Sequence, residues 1–218
     1  MKGQRQMIQI EKVSVMNLEN AVRGARNPMN SWARSDSYYD EDGRYVLGPN
    51  DLALCHRLSV SGSDHRKYLR QIFVSMDITA PLYWWKEFDT YKVATVANSC
   101  STMHKIHAKE FARDDFSHDR MSGEALDALD RLVEFLEKRR QAYLETRDAG
   151  CWHDLIQLLP ASYNQLRTVT LNYETLVNIY YARRNHKLPE WHRLCDVIRS
   201  LPYAEELILV REKENEEK

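Results

Sequence analysis

Apolar and polar positions alternate with a period of two between Lys67 and Thr79. Ile72, Val74, Met76 and Ile78 fall on one face, and Gln71, Phe73, Ser75 and Asp77 on the other. That is the signature of a half-buried strand. A weaker alternation over Met7–Met16 predicts a first strand. Helical spacing replaces it over Asn17–Arg26, with Asn17 in the N-cap position, and over Asp51–Val60, which Asn50 would cap. Between them, 27–50 is polar and aromatic with Asp and Gly punctuation and predicts a long loop. Ser61 to His65 reads as a turn. Pro81 suits the first turn of a short aromatic helix with Trp84, Trp85 and Phe88 on its core face, followed by a polar loop through Ser101.

The clearest helix is Ser122–Arg147, with Leu126, Leu129, Val133, Leu136, Arg140 and Tyr143 at helical spacing. It reads as scaffold or subunit interface, with partner binding as the alternative. Leu155–Pro160 and Tyr163–Leu171 lead into a helix over Asn172–Arg184, in which Leu176, Ile179, Tyr180 and Arg183 share a stripe. An arginine on an apolar stripe needs a partner, because a buried unpaired charge is costly. A structural carboxylate and a ligand phosphate or pyrimidine oxygen both answer that need. Pro189 opens a last helix with Trp191, Leu194, Cys195 and Ile198 on one face, and Glu212–Lys218 forms a charged tail. The whole predicts one α+β domain over 1–211, a mostly antiparallel sheet with packed helices.

Composition narrows the function. The 218 residues are 43% hydrophobic and carry a net charge of −1, so neither polymeric nucleic acid nor a membrane surface is an implied partner. Seven glycines include no phosphate-loop motif, and the four cysteines form no C-x-x-C pair. No apolar run reaches membrane-span length, and no signal peptide is evident. A cytoplasmic protein with reduced thiols is expected.

The chemistry concentrates in Ala80–Lys105, where Lys86, Lys92, Thr95, Asn98, Ser99, Cys100, Ser101 and Thr102 could surround one anionic ligand. The bland reading is an aromatic core followed by a plain loop. Cys100 beside Lys92 could be an activated thiol with His104 as base, but a buried core cysteine is the simpler reading. His104 and His107 have helical spacing for a metal but no acidic partner, so they read as surface histidines and no metal site is expected. Asp114, Asp115, His118 and Asp119 read as a solvated turn.

Four separated pieces, in order, resemble the flavin-dependent thymidylate synthases. Asp64-His65 is similar to that family's Glu-His before its central strand. Ala80–Lys105 aligns without a gap to its RHRxxSxNxxSxR region. Leu159-Pro160 and Thr168–Asn172 resemble its strand-to-helix entry. Arg183 and Pro189-Glu190-Trp191 resemble its arginine and the Ala-Gln-x-Glu that follows. The signature departs from the family's: Thr90-Tyr91-Lys92 stands for Arg-His-Arg, Thr95 for the first Ser, Ala97 for Asn, Cys100 for the second Ser, and Thr102 for the last Arg. A one-residue shift instead places Asn98 and Ser101 on Asn and Ser, at the loss of Lys92. Glu174 stands where the family usually has Arg, and Pro189 where it has Gln.

The resemblance implies a homotetramer holding FAD, with methylenetetrahydrofolate and NADPH as co-substrates, that methylates C5 of dUMP or a related pyrimidine nucleotide. It assigns Arg183 the polarising role, His65, Lys92, Thr95 and Asn172 the flavin, and Lys86, Glu87, Cys100, Thr102 and Arg183 the nucleotide. Such ligands carry about three to four negative charges, and each charge-assisted contact contributes roughly 1.5–3 kcal/mol. Lys86, Lys92, Arg183 and Arg184 remain nearby to meet them. The alternative implied by the lost arginines is a catalytically inactive scaffold of the same fold, acting in binding or assembly.

Overall fold

In the computed structural model, which describes residues 8–210, β1 (Gln9–Met16) leads into α1 (Leu18–Ala25). Met7 and the charged tail from Glu212 lie outside the described residues. Asn17 does occupy the N-cap position of α1, but in the left-handed region at φ 69°, which asparagine tolerates better than most residues. Its side chain makes no cap. It donates from Nδ2 to the carbonyl of Gln71 and accepts through Oδ1 from Asn20.

The 27–50 segment is more structured than a loop. It contains 3₁₀ turns at Asn27–Met29 and Trp32–Arg34 and a hairpin of β2 (Tyr38–Tyr39) with β3 (Tyr45–Val46). Helix α2 runs Pro49–Val60 with Gly48, not Asn50, at the N-cap. The cap comes from a distance: the Asp36 carboxylate accepts from the N–H groups of Asn50 (2.9 Å) and Asp51 (3.1 Å). Gly48 is required there, since a Cβ would stand 2.3 Å from Asp36 Cγ.

The predicted central strand is shorter at its start. Arg66–Gln71 winds as 3₁₀ helix, and β4 spans Phe73–Pro81. Its alternation is as predicted, with Val74, Met76 and Ile78 buried. Helix α3 (Leu82–Phe88) follows and buries Trp84, Trp85 and Phe88. The polar stretch beyond it is not a plain loop, because it carries β5 (Val96–Ser99) and the short helix α4 (Thr102–Lys105). Next come α5 (Gly123–Thr146), capped by Ser122, and α6 (Ala149–Gln157). Then β6 (Asn164–Asn172), α7 (Tyr173–Arg183) and α8 (Pro189–Arg199) complete most of the chain. One further turn, α9 (Ala204–Leu207), follows, so α8 is not the last helix.

The larger sheet has the order β1-β4-β6-β5. Thr168 Oγ1 donates to Asp77 and Thr170 Oγ1 to Ser75, so β4 and β6 step in opposite senses and are antiparallel. The fold is α+β, as the pattern predicted.

The chain divides into two compact units interleaved in sequence, and β4 and β6 each contribute to both. The α5 unit takes in Asp77–Thr90 and Ala97–Thr168. Its core joins Ile106, Phe111 and Phe116 to Leu129, Leu136 and Leu155. The aromatic cluster of α3 also belongs to it, with Trp85 Nε1 donating to the carbonyl of Gln165. The α7 unit takes in Ile10–Met76, Tyr91–Val96 and 169–210. There Val74, Met76, Val169 and Leu171 of the strands and Leu176, Ile179, Trp191 and Leu194 of α7 and α8 are all buried. Each such side chain contributes about 1.5–3 kcal/mol relative to exposure. Among the described residues, no helix is long and apolar enough to cross a membrane.

Candidate functional site

The start of α7 is an anchoring point. Asn172 ends β6 and is 3% exposed. Its Oδ1 accepts from the Thr175 N–H (2.9 Å) and the Thr175 hydroxyl (3.0 Å), and its Nδ2 donates to the carbonyl of Arg70 (3.2 Å). Asparagine is among the preferred N-caps because its carbonyl meets an orphan amide of the first turn. The amide that sequence reasoning offered to flavin is therefore committed to the helix.

Two chain segments fasten to the same turn. Glu174 is gripped by both edges of the Arg66 guanidinium, with Nε and Nη2 at 3.0 Å from its oxygens. Arg66 is 6% exposed, and a bidentate pair is among the strongest of such contacts. Glu174 thus carries its own countercharge. The one hydroxyl proton of Thr175 is shared between Asn172 Oδ1 and the carbonyl of Val93, which lies 3.1 Å away. Arg66 follows His65, and Val93 follows Lys92. Both His65 and Lys92 are exposed, and neither side chain makes a hydrogen bond or ion pair among the described residues. Thr95, half-buried, donates to the Val93 carbonyl at 3.3 Å, steadying the turn through Ala94 at φ 53°.

The other end of α7 holds Arg183, which is half-buried. Its Nε donates to the Tyr91 hydroxyl at 2.9 Å. Its guanidinium carbon lies 4.5 Å from the centre of the Trp191 ring and 5.6 Å from that of Tyr91. Sequence reasoning sought an anion for this arginine; its partners include a phenol oxygen and two aromatic faces. Stacking suits the planar, weakly hydrated guanidinium and contributes about 0.5–2 kcal/mol. The segment from Tyr91 to Val93 is accordingly clasped to α7 at two points.

In the α5 unit, β5 runs into Cys100, whose N–H donates to the Leu166 carbonyl (2.9 Å) and whose carbonyl accepts from Gln165 Nε2 (2.8 Å). Edge pairing turns the thiol outward, so Cys100 is exposed, whereas Cys55, Cys151 and Cys195 are buried. The expected core cysteine at 100 is a surface one. Ser101 caps α4 by accepting from the His104 N–H at 3.0 Å. Cys100, Thr102 and Lys105 line an open cavity of about 430 Å³ with Tyr163 and Asn164. Burial raises the Tyr163 phenol above its ordinary pKa, and the nearby Asp115 adds to this, so it stays a neutral donor. Lys109 on the same wall is paired with Asp115 at 2.5 Å. On α3, Lys86 is exposed, Glu87 is half-buried, and neither is among the described residues lining this cavity.

The structure therefore gathers His65, Lys92, Thr95, Asn172 and Arg183 in the α7 unit, and Cys100 and Thr102 around one cavity of the α5 unit. Sequence reasoning missed Arg66, Tyr91, Trp191 and Lys105. A signal for Arg66 was present: an acid in the first turn of a mostly buried helix calls for a compensating cation. His104 is exposed, but His107 is half-buried with its ring edge-on to Tyr143 at 5.0 Å, so it is not the surface histidine expected. Among the described residues no group of three His, Cys, Asp or Glu could hold a metal ion.

No family model and no curated protein sequence matches this chain. Solved structures do. A Helicobacter pylori flavin-dependent thymidylate synthase, ThyX, complexed with FAD and dUMP is similar over 91% of this chain and 98% of its own, with 17% identity and a TM-score of 0.64. A second ThyX structure from the same organism, with FAD and dUMP at 2.31 Å, covers 92% and 96%, with 16% identity and a TM-score of 0.67. The fold is that of these enzymes.

Proposed function

We propose that this chain is a thymidylate synthase-like enzyme that uses FAD to methylate C5 of dUMP or a related pyrimidine nucleotide. The observation that carries the reading is the clasp of Tyr91–Val93 onto α7, which fixes Arg183 and leaves Lys92 and His65 exposed beside one helix start. The ThyX-like fold supports it, since the two similar structures hold FAD and dUMP.

The donor set fits a flavin nucleotide. An imidazole at His65 and an ammonium at Lys92, both uncommitted among the described residues, suit ring carbonyls and phosphate oxygens, with Thr95 holding the turn after Lys92. Asn172, which caps α7 through Oδ1, stands at the same edge, where the resemblance gives it to the flavin. Bound flavin supplies hydride transfer, NADPH and methylenetetrahydrofolate being its co-substrates. Arg183 holds fixed positive charge for a pyrimidine carbonyl oxygen, which favours the electron shift at C5. A guanidinium already held against two aromatic rings needs little reorganisation, which is where electrostatic catalysis gains most. Cys100 and Thr102, with Lys86 and Glu87 nearby in sequence, contact the nucleotide. The unit of action is a homotetramer.

Arg183→Ala is expected to abolish turnover while keeping the flavin absorbance bands, with a thermal midpoint lowered by no more than the lost stacking, about 0.5–2 kcal/mol, accounts for. Turnover undiminished in that variant would overturn the assignment. One observation favours a second reading, a catalytically inactive scaffold: Arg66 is committed to Glu174 and cannot meet a ligand phosphate. Purified protein that is colourless, and gains no thermal stability from FAD or dUMP, would establish that reading instead.

A further inference from the structure

Another cavity, of about 630 Å³, lies wholly within the α7 unit, and its volume falls within the range of small-molecule sites. Its walls come from β1, the start of α1, the β2–β3 hairpin and the turn after α8. None of the residues assigned above to flavin or nucleotide is among the described residues that line it.

The hairpin sets the chemistry. Its turn, Asp40–Arg44, is held by Asp40 Oδ1, which accepts from the N–H groups of Asp42 (3.0 Å) and Arg44 (2.8 Å), with Gly43 left-handed at φ 74°. Tyr39 and Tyr45 are register partners in the antiparallel pair, so their side chains leave one face. The two rings meet edge-on, with centres 5.4 Å apart and planes at 60°, and form a corner. One Glu19 oxygen accepts from the Tyr39 hydroxyl at 2.5 Å, and the other accepts from no described residue. That bond, with the carboxylate's charge, raises the Tyr39 phenol above its ordinary pKa. Burial raises Tyr45 against a bond from Ser37, and the charges of Asp51 and Glu19 add to the rise. Both phenols therefore stay neutral, in a negative field.

The remaining polar groups narrow the class. Asn17 Nδ2 is spent on the Gln71 carbonyl and the Ser200 hydroxyl on that of Val197. Arg44 is the cation on the lining, 76% exposed and 3.5 Å from Asp42. Val13, Val15, Leu18, Leu201 and Pro202 supply an apolar wall. Two aromatic faces, an open carboxylate oxygen and an aliphatic wall together suit a cation that carries alkyl groups. The ring quadrupole attracts the charge, and the alkyl groups leave water.

We infer that this cavity binds a small alkylated ammonium ion, with its charge at the Tyr39–Tyr45 corner beside Glu19 and its alkyl groups on the wall of β1 and Leu201–Pro202. The inference does not rest on the flavin reading, and each can fail without the other.

The test is calorimetric titration of the full chain with choline, with dimethylbutanol as its uncharged carbon isostere, and with a short peptide carrying trimethyllysine. Choline should bind about ten-fold tighter than dimethylbutanol, because only the charge differs. Tyr39→Leu should weaken choline about two- to thirty-fold, the span expected for one cation–π contact, and Tyr39→Phe should keep most of the affinity. Tyr39 is 57% exposed, so neither change threatens the fold. Glu19→Gln should weaken choline and leave dimethylbutanol unchanged, whereas Arg44→Gln should tighten choline several-fold. A peptide tighter than choline assigns the cation to a modified side chain, and the reverse assigns it to a free compound. Equal affinity for choline and dimethylbutanol overturns the inference. So does choline affinity untouched by Tyr39→Leu, or a wild type that gives no heat with choline at millimolar concentration.

Discussion

Replacing Asp51 by Asn should be among the most damaging single changes in the α7 unit. Asp51 is fully buried, and its carboxylate accepts five hydrogen bonds: from Arg26 Nε, both hydroxyls of Ser35 and Ser37, and the N–H groups of Asp36 and Ser37. Burial alone would raise its pKa. The bonds from Ser37, Ser35 and Arg26, with that of Asp36, outweigh burial and hold it at about 2 against an ordinary 3.8. A folded pKa below the unfolded one means stability that is present above pH 4 and is lost as pH falls toward 2. The difference corresponds to about 2 kcal/mol. At pH 7, Asp51→Asn removes the countercharge of Arg26, itself 4% exposed, and should cost about 3–5 kcal/mol. Urea unfolding of both proteins at pH 7, 4 and 2, followed by tryptophan fluorescence, measures this. The gap should narrow by about 2 kcal/mol at pH 2, where the wild-type carboxyl is half protonated or more. A variant within about 0.5 kcal/mol of wild type at pH 7, or a gap independent of pH, would refute the reasoning.

The remaining predictions concern charge and thiols. Glu174→Gln strands Arg66 at 6% exposure and should lower stability by about 3 kcal/mol, with the swap Arg66→Glu/Glu174→Arg recovering part of it. Thermal unfolding of the three variants decides this, and an undisturbed single variant would show that the pair is not coupled. Of the four cysteines, only Cys100 is exposed, so a colorimetric thiol reagent should titrate one group quickly in native protein and four in denaturant. Burial pushes Cys55 up to about 12, which keeps it a neutral thiol even in alkaline buffer. Fast reaction of two or more native thiols would contradict this burial pattern.

What the sequence determined by itself is mostly what depends on local periodicity. The alternation through Ile72–Ile78, the long helix after Ser122 and the aromatic face of α3 are each visible in a window of ten or so residues. Burial follows directly from such a pattern, because only one face of each element can leave water. The order of the family-like pieces was legible too, and with it the fold. What the tertiary structure decided depends on partners distant in sequence. Nothing near Asn50 says that Asp36 will cap α2, and nothing near Glu174 names Arg66 as its partner. The 27–50 segment reads as loop because its order comes from Asp51, a single buried acceptor that no local pattern reveals. Cys100 looks like a core residue until strand pairing with β6 turns its side chain outward. That Asn172, which caps α7 through Oδ1, ties to the Arg70 carbonyl through Nδ2 is likewise decided by a partner distant in sequence. Arg183 reads as a charge on an apolar stripe, and only the tertiary packing sets it against Tyr91 and Trp191. Hydrophobic periodicity is written along the chain, whereas hydrogen-bond and charge pairing are settled only when segments many residues apart arrive at one place.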